Sequence, residues 1–224
     1  MPRLPNLLLL LLTLYLTVSC RREHREELGN HASAAQMPLS AKEARWTQEP
    51  AALLRPLIDP AKLRTLGTRG TNPRIQKAVA ILWTAKRDGL DPAKVAANAV
   101  ALIGWAETAK GRITADALVR NLSIAERLGA VTNADIESMR RGRAPTVRTG
   151  PYTGDIISVD HIVPRAVAPE LDNVVANLEF MPLMLNQSKN DKVGARQLDV
   201  ARKLHAAGLL SDAGLQRVTD ASHR

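Results

Sequence analysis

A chain of 224 residues can hold one ordinary domain or a small bipartite fold. Its single cysteine excludes an intramolecular disulfide and a cysteine-rich zinc site. With 3% aromatic residues and a formal net charge of +9, the core has to be Ala, Leu, Val and Ile, in many closely packed helices. Such a charge suits an anionic partner (nucleic acid, a phospholipid surface or an acidic polymer) without choosing among them.

The first twenty residues read as an export signal. Arg3 supplies a minimal positive start, Leu7 to Leu12 are consecutive leucines, and Leu14, Tyr15, Leu16 and Val18 extend the run. That length suits a signal-peptide core and is too short to span a bilayer comfortably. The run closes on "LTVSC", with small Ser19 before Cys20. It resembles the lipobox of bacterial lipoproteins, which implies lipidation of Cys20, a new N-terminus there and an N-terminal lipid anchor in the cell envelope. Thr17 departs from the usual leucine, and plain secretion is the alternative. Residues 21–50 are polar, charged and alanine-rich, as expected of a flexible tether, and His24 and His31 read as solvated tether residues.

Residues 51–142 read as wholly helical. Asn72 and Pro73 can start a helix that Gly89 stops, with Ile75, Val79, Leu82 and Trp83 on one apolar face. Asp91 and Pro92 start the next, carrying Val95, Ala99, Leu102, Ile103 and Trp105 and breaking near Gly111. A third runs from about Thr114 to Leu128, ending at Gly129, and a fourth from Thr132, with Asp135 in a weak capping box, to near Gly142. Trp83 and Trp105 read as core residues.

At residue 143 the texture changes. In "TVRTGPYTGDIISVDHIVP" glycines and prolines punctuate β-rich runs, as in a hairpin or a loop feeding one strand. "NLEFMPLMLNQSKNDK" reads as an apolar strand, a break at Pro182 and a polar helix start. "ARQLDVARKLHAAGLL" is an amphipathic helix with Leu198, Ala201 and Leu204 on one side, and its His205 reads as packed or surface. His223 is terminal, so His161 alone among the histidines has a chemically suggestive setting.

Asp160 and His161 adjoin at a strand end in "SVDHIVPR", where neighbouring side chains take opposite faces. In a basic exported protein the pair invites a phosphodiester hypothesis. His161 can deprotonate water near neutral pH, and Asp160 can hold a hard divalent cation through oxygen. In-line displacement places the attacking and leaving oxygens on opposite sides of phosphorus, which suits groups diverging from one backbone segment. One carboxylate is a poor metal site, but Asn177, Glu179, Asn186, Asn190 and Asp191 follow as oxygen donors.

The ordered set "VDHIVPR…LDN…NLEFMPLMLNQSK" resembles the HNH, or ββα-metal, nuclease motif, closest to the Asp-His-Ile-Val-Pro variety in the HNH domains of RNA-guided CRISPR effectors. The likeness covers 150–195, about a fifth of the chain. It implies an α+β fold, with a helical N-terminal region followed by a C-terminal ββα-metal module over 143–218 that includes a C-terminal helix. It further implies Asp160 as a metal ligand, His161 as general base, and Asn177 as the middle residue whose amide braces the loop carrying His161. Asn186, nine residues after Asn177, becomes the second metal ligand, and Lys189 the trailing lysine near phosphate. Asn186 can also cap the helix it starts. Many family members have histidine at Asn186. An Asp-plus-Asn set is hard and weakly charged, which favours Mg²⁺ or Mn²⁺ over Zn²⁺ or Ni²⁺. An alternative register makes Asn190 the ligand, beside Asp191. Zinc-binding cysteines of other members are absent, so Leu171, Val174, Val175, Leu178 and Phe180 must supply the packing.

Arg141, Arg143, Arg148, Arg165, Lys189 and Lys192 suit phosphate positioning, with Arg165 and Lys189 nearest the motif. Tyr152 can stack on a base or pack on a strand. Nothing resembles a base-reading element, so weak sequence preference is expected. The resemblance implies an exported endonuclease of low specificity acting on DNA more readily than RNA, with one divalent metal, leaving 5′-phosphate and 3′-hydroxyl ends. No protein partner is inferred. The alternative is a non-catalytic envelope lipoprotein binding nucleic acid or an anionic polymer.

Overall fold

The computed structural model describes residues 39–63, 73–189 and 191–223. The leucine run, Cys20, His24, His31, Asn72 and Asn190 lie outside the described residues. The chain divides into two compact units, Met1–Arg45 and Trp46–Arg224. Of the first, only residues 39–45 are described, and they are helical. Among the described residues, no helix is long and apolar enough to cross a membrane.

The architecture is α+β and mostly helical, with one two-stranded antiparallel sheet. Helices α1 (Leu39–Ile58), α2 (Pro60–Leu63), α3 (Arg74–Arg87), α4 (Pro92–Ala101), α5 (Ala109–Arg127) and α6 (Asn133–Arg140) come first. Strand β1 (Ile157–His161), strand β2 (Leu178–Pro182), and helices α7 (Leu183–Lys189), α8 (Ala195–Ala206) and α9 (Asp212–Ser222) follow. Residues 39–50, expected in the tether, thus belong to α1, whose Lys, Glu, Ala and Gln residues favour helix.

Local chemistry starts several helices where the residues suggest. The Asp91 side chain accepts from the Ala93 amide at 2.9 Å, ahead of Pro92 at the first helical position. Thr132 and Asp135 complete the reciprocal capping box of α6. The expected break near Gly111 is corrected: α4 ends at Ala101, and Gly111 sits in the first turn of α5, where it donates to the Thr108 cap. A Cβ there would lie 2.1 Å from the Trp105 carbonyl oxygen, so the glycine serves close backbone approach and not termination.

Ile75, Val79 and Leu82 of α3, Val95 and Ala99 of α4, Leu118 and Leu122 of α5, and Ile136 and Met139 of α6 build one core. Ile157, Val175, Leu178 and Phe180 belong to the same core, and Trp83, Trp105 and Tyr152 pack against it partly buried. A second core joins Ala117 of α5 and Leu171 to Ala201 and Leu204 of α8 and Val218 of α9, with Val174 against it. The residues expected to replace a structural zinc therefore do pack inward, divided between two clusters. The expected boundary at 142/143 falls inside a single compact unit.

The helices also complete the sheet. On the edge of β2 away from β1, the Asn121 amide donates to the Leu178 carbonyl at 3.0 Å and accepts from the Phe180 amide at 2.7 Å. Arg120 donates to the carbonyls of Ala176 and Leu178 at 3.3 and 3.2 Å. Before β1, residues 146–156 make a loop closed by one bridge, Thr146 to Ile156, and not a full hairpin.

Candidate active site

The β1–β2 register pairs Ser158 with Met181, Val159 with Phe180, Asp160 with Glu179 and His161 with Leu178. Alternation places Ile157, Val159 and His161 on the face of the first core, and Ser158 and Asp160 on the other. Asp160 and His161 therefore diverge from the strand end, as the sequence requires.

Asn177 is fully buried, at 0% exposure, just before β2. Its side-chain oxygen accepts from the Val163 amide at 2.8 Å and its nitrogen donates to the Val163 carbonyl at 3.0 Å. Its own carbonyl accepts from the Ile162 amide at 2.8 Å. Three hydrogen bonds thus fix the backbone immediately after His161, in the bracing geometry expected of this residue. Pro164 then turns the chain, its carbonyl accepting from the amides of Val167 and Ala168.

Helix α7 lies against the Ser158–Asp160 face. Asn186 Nδ2 donates to Ser158 Oγ at 3.0 Å. Lys189, one turn on, donates to the Asp160 carboxylate and, at 2.7 Å, to the His161 carbonyl. Asn186 does not start the helix as expected; it is the fourth residue of α7, which begins at Leu183 straight after the strand. The first turn is satisfied from elsewhere: Leu183 donates to the Ile156 carbonyl and Met184 to the Asp155 carboxylate at 2.8 Å. Asn186 therefore needs no capping role.

His161 Nε2 lies 3.1 Å from the Asp172 carbonyl oxygen and 3.2 Å from its carboxylate. A carbonyl can only accept, so in the neutral ring this contact puts the proton on Nε2 and leaves the lone pair on Nδ1. Asp172 is followed by Asn173, which the Arg74 guanidinium of α3 grips at Oδ1 (3.0 Å) and at the backbone carbonyl (3.4 Å). Burial pulls the Arg74 pKa down to about 10, opposed by the charge of Asp172.

Glu179, opposite Asp160, is 4% exposed and accepts two hydrogen bonds from Arg196 of α8, at 2.7 and 2.5 Å. The hydrogen bond to Glu179 raises the Arg196 pKa, against some desolvation.

Asp160 and Asn186 are the oxygen donors that can hold a divalent ion. With Nδ2 of Asn186 turned to Ser158, Oδ1 is the atom it would offer to a cation. Both donors are hard oxygens of the kind that would suit Mg²⁺ or Mn²⁺, and the Asp160 carboxylate here meets the Lys189 ammonium. Among the described residues, no three His, Cys, Asp or Glu side chains cluster as a metal-holding group.

The remaining expectations fall out separately. Arg165 is exposed and 3.9 Å from the Asp172 carboxylate, which His161 also approaches. Lys189 is turned onto Asp160 with 16% of its side chain exposed, not held out for phosphate. Arg141 and Arg148 are paired with Glu137 and Asp135 at 2.7 Å each. His205 contacts Asp212 at 2.6 Å on the surface. Sequence reasoning missed Asp172, Ser158, Arg74, Asn121 and Arg196. Only Asp172 carried a signal, as the acid of "LDN" within the motif. No family model, curated protein or solved structure matches the chain, so the resemblance rests on the motif residues themselves.

Proposed function

We propose that this protein is a metal-dependent endonuclease of the HNH type, hydrolysing phosphodiester bonds of DNA, or RNA less readily, with low sequence specificity. The observation that carries the reading is the pair of anchors around the strand end. Asn177 fixes the backbone after His161, while α7 presents Asn186 to the face that carries Asp160. Packing alone requires neither.

In this mechanism His161 takes a proton from water at Nδ1 as the water oxygen attacks phosphorus. Asn177 keeps the histidine-bearing loop from moving as charge develops. Asp160 and Asn186 would hold one divalent ion, Mg²⁺ or Mn²⁺, which supplies charge neutralisation for the phosphate and the departing oxygen. Arg165, exposed and 3.9 Å from Asp172, would meet a backbone phosphate in this reading. Lys189 has to release or share Asp160 before it can do the same.

The contact between Lys189 and Asp160 also favours a second reading, a non-catalytic protein binding DNA or an anionic polymer, because an ammonium already neutralises the carboxylate. Plasmid cleavage by residues 21–224 with Mg²⁺, Mn²⁺ or EDTA, beside His161→Ala, separates the two. Cleavage that needs metal and is lost in the variant supports the nuclease. Binding without cleavage supports the alternative. In both readings Cys20 anchors an envelope protein by its lipid, or the protein is secreted; fatty-acid labelling of wild type against Cys20→Ser distinguishes these.

A further inference from the structure

We propose that the cavity between the helical region and the Pro169–Val175 loop binds one nucleotide unit, base and phosphate together. The choice of ligand rests on the phosphodiester reading of the neighbouring site.

The cavity encloses about 440 Å³, within the ~300–1,000 Å³ of small-ligand pockets. Ile58 of α1, Leu63 of α2 and Val175 ahead of β2 give it an apolar floor, and all three are buried. Pro169, Glu170 and Gly208 line it too and are exposed, so it opens to solvent on their side. Trp105 supplies an aromatic wall. Its carbonyl accepts from the Thr108 hydroxyl at 2.8 Å, and Gly111 lets the first turn of α5 approach it closely, so the wall is fixed in place.

Two polar groups of α5 look into this space without an obvious task. Thr114 is 3% exposed and lines the cavity, yet its hydroxyl forms no hydrogen bond within the described residues. A buried hydroxyl left unpaired costs stability, and a ligand that pairs with it removes the cost. Lys110 meets no carboxylate among the described residues; its ammonium stands 4.9 Å from the centre of the Trp105 ring. The acids of the cavity are engaged elsewhere. Glu170 accepts from Ser211 and Arg217, and the Asp172 carboxylate has His161 at 3.2 Å and Arg165 at 3.9 Å. The unmatched charge is thus the ammonium, which suits a phosphate.

An acyl chain would use the floor but neither the hydroxyl nor the ammonium. A nucleotide uses all of these: the base packs on Trp105 and the apolar floor, Thr114 donates to or accepts from it, and Lys110 meets the phosphate. Asp172 lines the cavity and also touches His161, so a nucleotide held here would adjoin the phosphodiester at the candidate site. A base enters such a space only when unstacked and unpaired, which favours single-stranded nucleic acid.

Calorimetric titration of the metal-free full chain tests this, using the four 5′-mononucleotides, the matching nucleosides and dodecanoate. A mononucleotide should bind at one site. Thr114→Val should weaken it by roughly 10-fold while the urea midpoint holds or rises, because no protein hydrogen bond is lost. Lys110→Met should bring the mononucleotide down to the affinity of its nucleoside and leave the nucleoside unchanged; if Thr114→Val does not fold, this comparison carries the decision. A single-stranded oligonucleotide that displaces the mononucleotide identifies a strand as the source, and a mononucleotide left in place identifies a free nucleotide. No saturable nucleotide binding, binding undiminished in both variants, or dodecanoate bound in the nucleotide's stead overturns the proposal. If plasmid cleavage fails, the nuclease reading falls, while the titration still decides the cavity.

Discussion

Asp160 and Glu179 stand directly opposite each other across the β1–β2 ladder, yet each carboxylate belongs to a different cation. Arg196 grips Glu179 through two parallel hydrogen bonds, whereas Lys189 meets Asp160 as a single point charge. Like charges at opposed positions are destabilising without such partners. A planar fork on a buried carboxylate is a fixed fitting, while an ammonium on a flexible stem can exchange. The geometry commits Glu179 to structure and leaves Asp160 exchangeable.

Arg196→Met should therefore cost stability and not act through the metal. Glu179 would stay buried with its charge uncompensated, at about 1–3 kcal/mol, since Arg196 is itself half exposed. Urea unfolding measures it. The double variant with Glu179→Gln should recover most of the loss, because no buried charge then remains.

Lys189→Met should strengthen divalent-ion binding while weakening that of nucleic acid. Removing the ammonium frees the Asp160 carboxylate, so calorimetric titration with Mn²⁺ should give a lower dissociation constant than wild type. Nucleic-acid affinity should fall, with a salt slope shallower by about one contact. Unchanged Mn²⁺ affinity would show that Lys189 does not compete for the carboxylate.

Asn177→Ala should remove both side-chain arms that hold Val163, orphaning a buried amide and a buried carbonyl. At ~1–3 kcal/mol for each of the two unpaired groups, the loss should be about 2–6 kcal/mol. Asn177→Asp should be little better, because its second oxygen would face the Val163 carbonyl with no proton to share. Cleavage should fall further than the fraction folded, read by activity at a temperature where both variants remain native.

Asn186→Ala should raise the Mg²⁺ concentration needed for half-maximal cleavage by roughly 10-fold or more, whereas Asn186→Asp should lower it by adding charge to the site. Asn190→Ala should leave it unchanged. The reverse order would favour the register that uses Asn190.

Local signals made much of this arrangement legible. Asp91-Pro92 and the Thr132–Asp135 box name helix starts because a cap acts within one turn. The Asn177 brace was legible for a similar reason: a motif records spacing, and the loop it spans is short. Residues that act across the fold left no local trace. Arg74 and Asn121 looked like ordinary helix positions, since nothing in their neighbourhoods states what lies across the interface. Lys189 differs again: spacing placed it near the site but did not say that it meets Asp160. Gly111 misled because glycine signals either an end or a close approach, and only the position of the Trp105 carbonyl decides between them.

The Asn121 carboxamide, donating to Leu178 and accepting from Phe180, imitates the peptide group of a third strand. A sheet of two strands would otherwise offer a ladder of open backbone groups to any passing chain. One side chain thus ends the sheet and guards it against strand addition by another molecule. Residues 143–224 expressed alone would lose that guard and expose an apolar edge, so the segment bearing the candidate site should self-associate when cut from its helices. Asn121→Ala in the full chain should move toward the same behaviour, seen as added mass in light scattering.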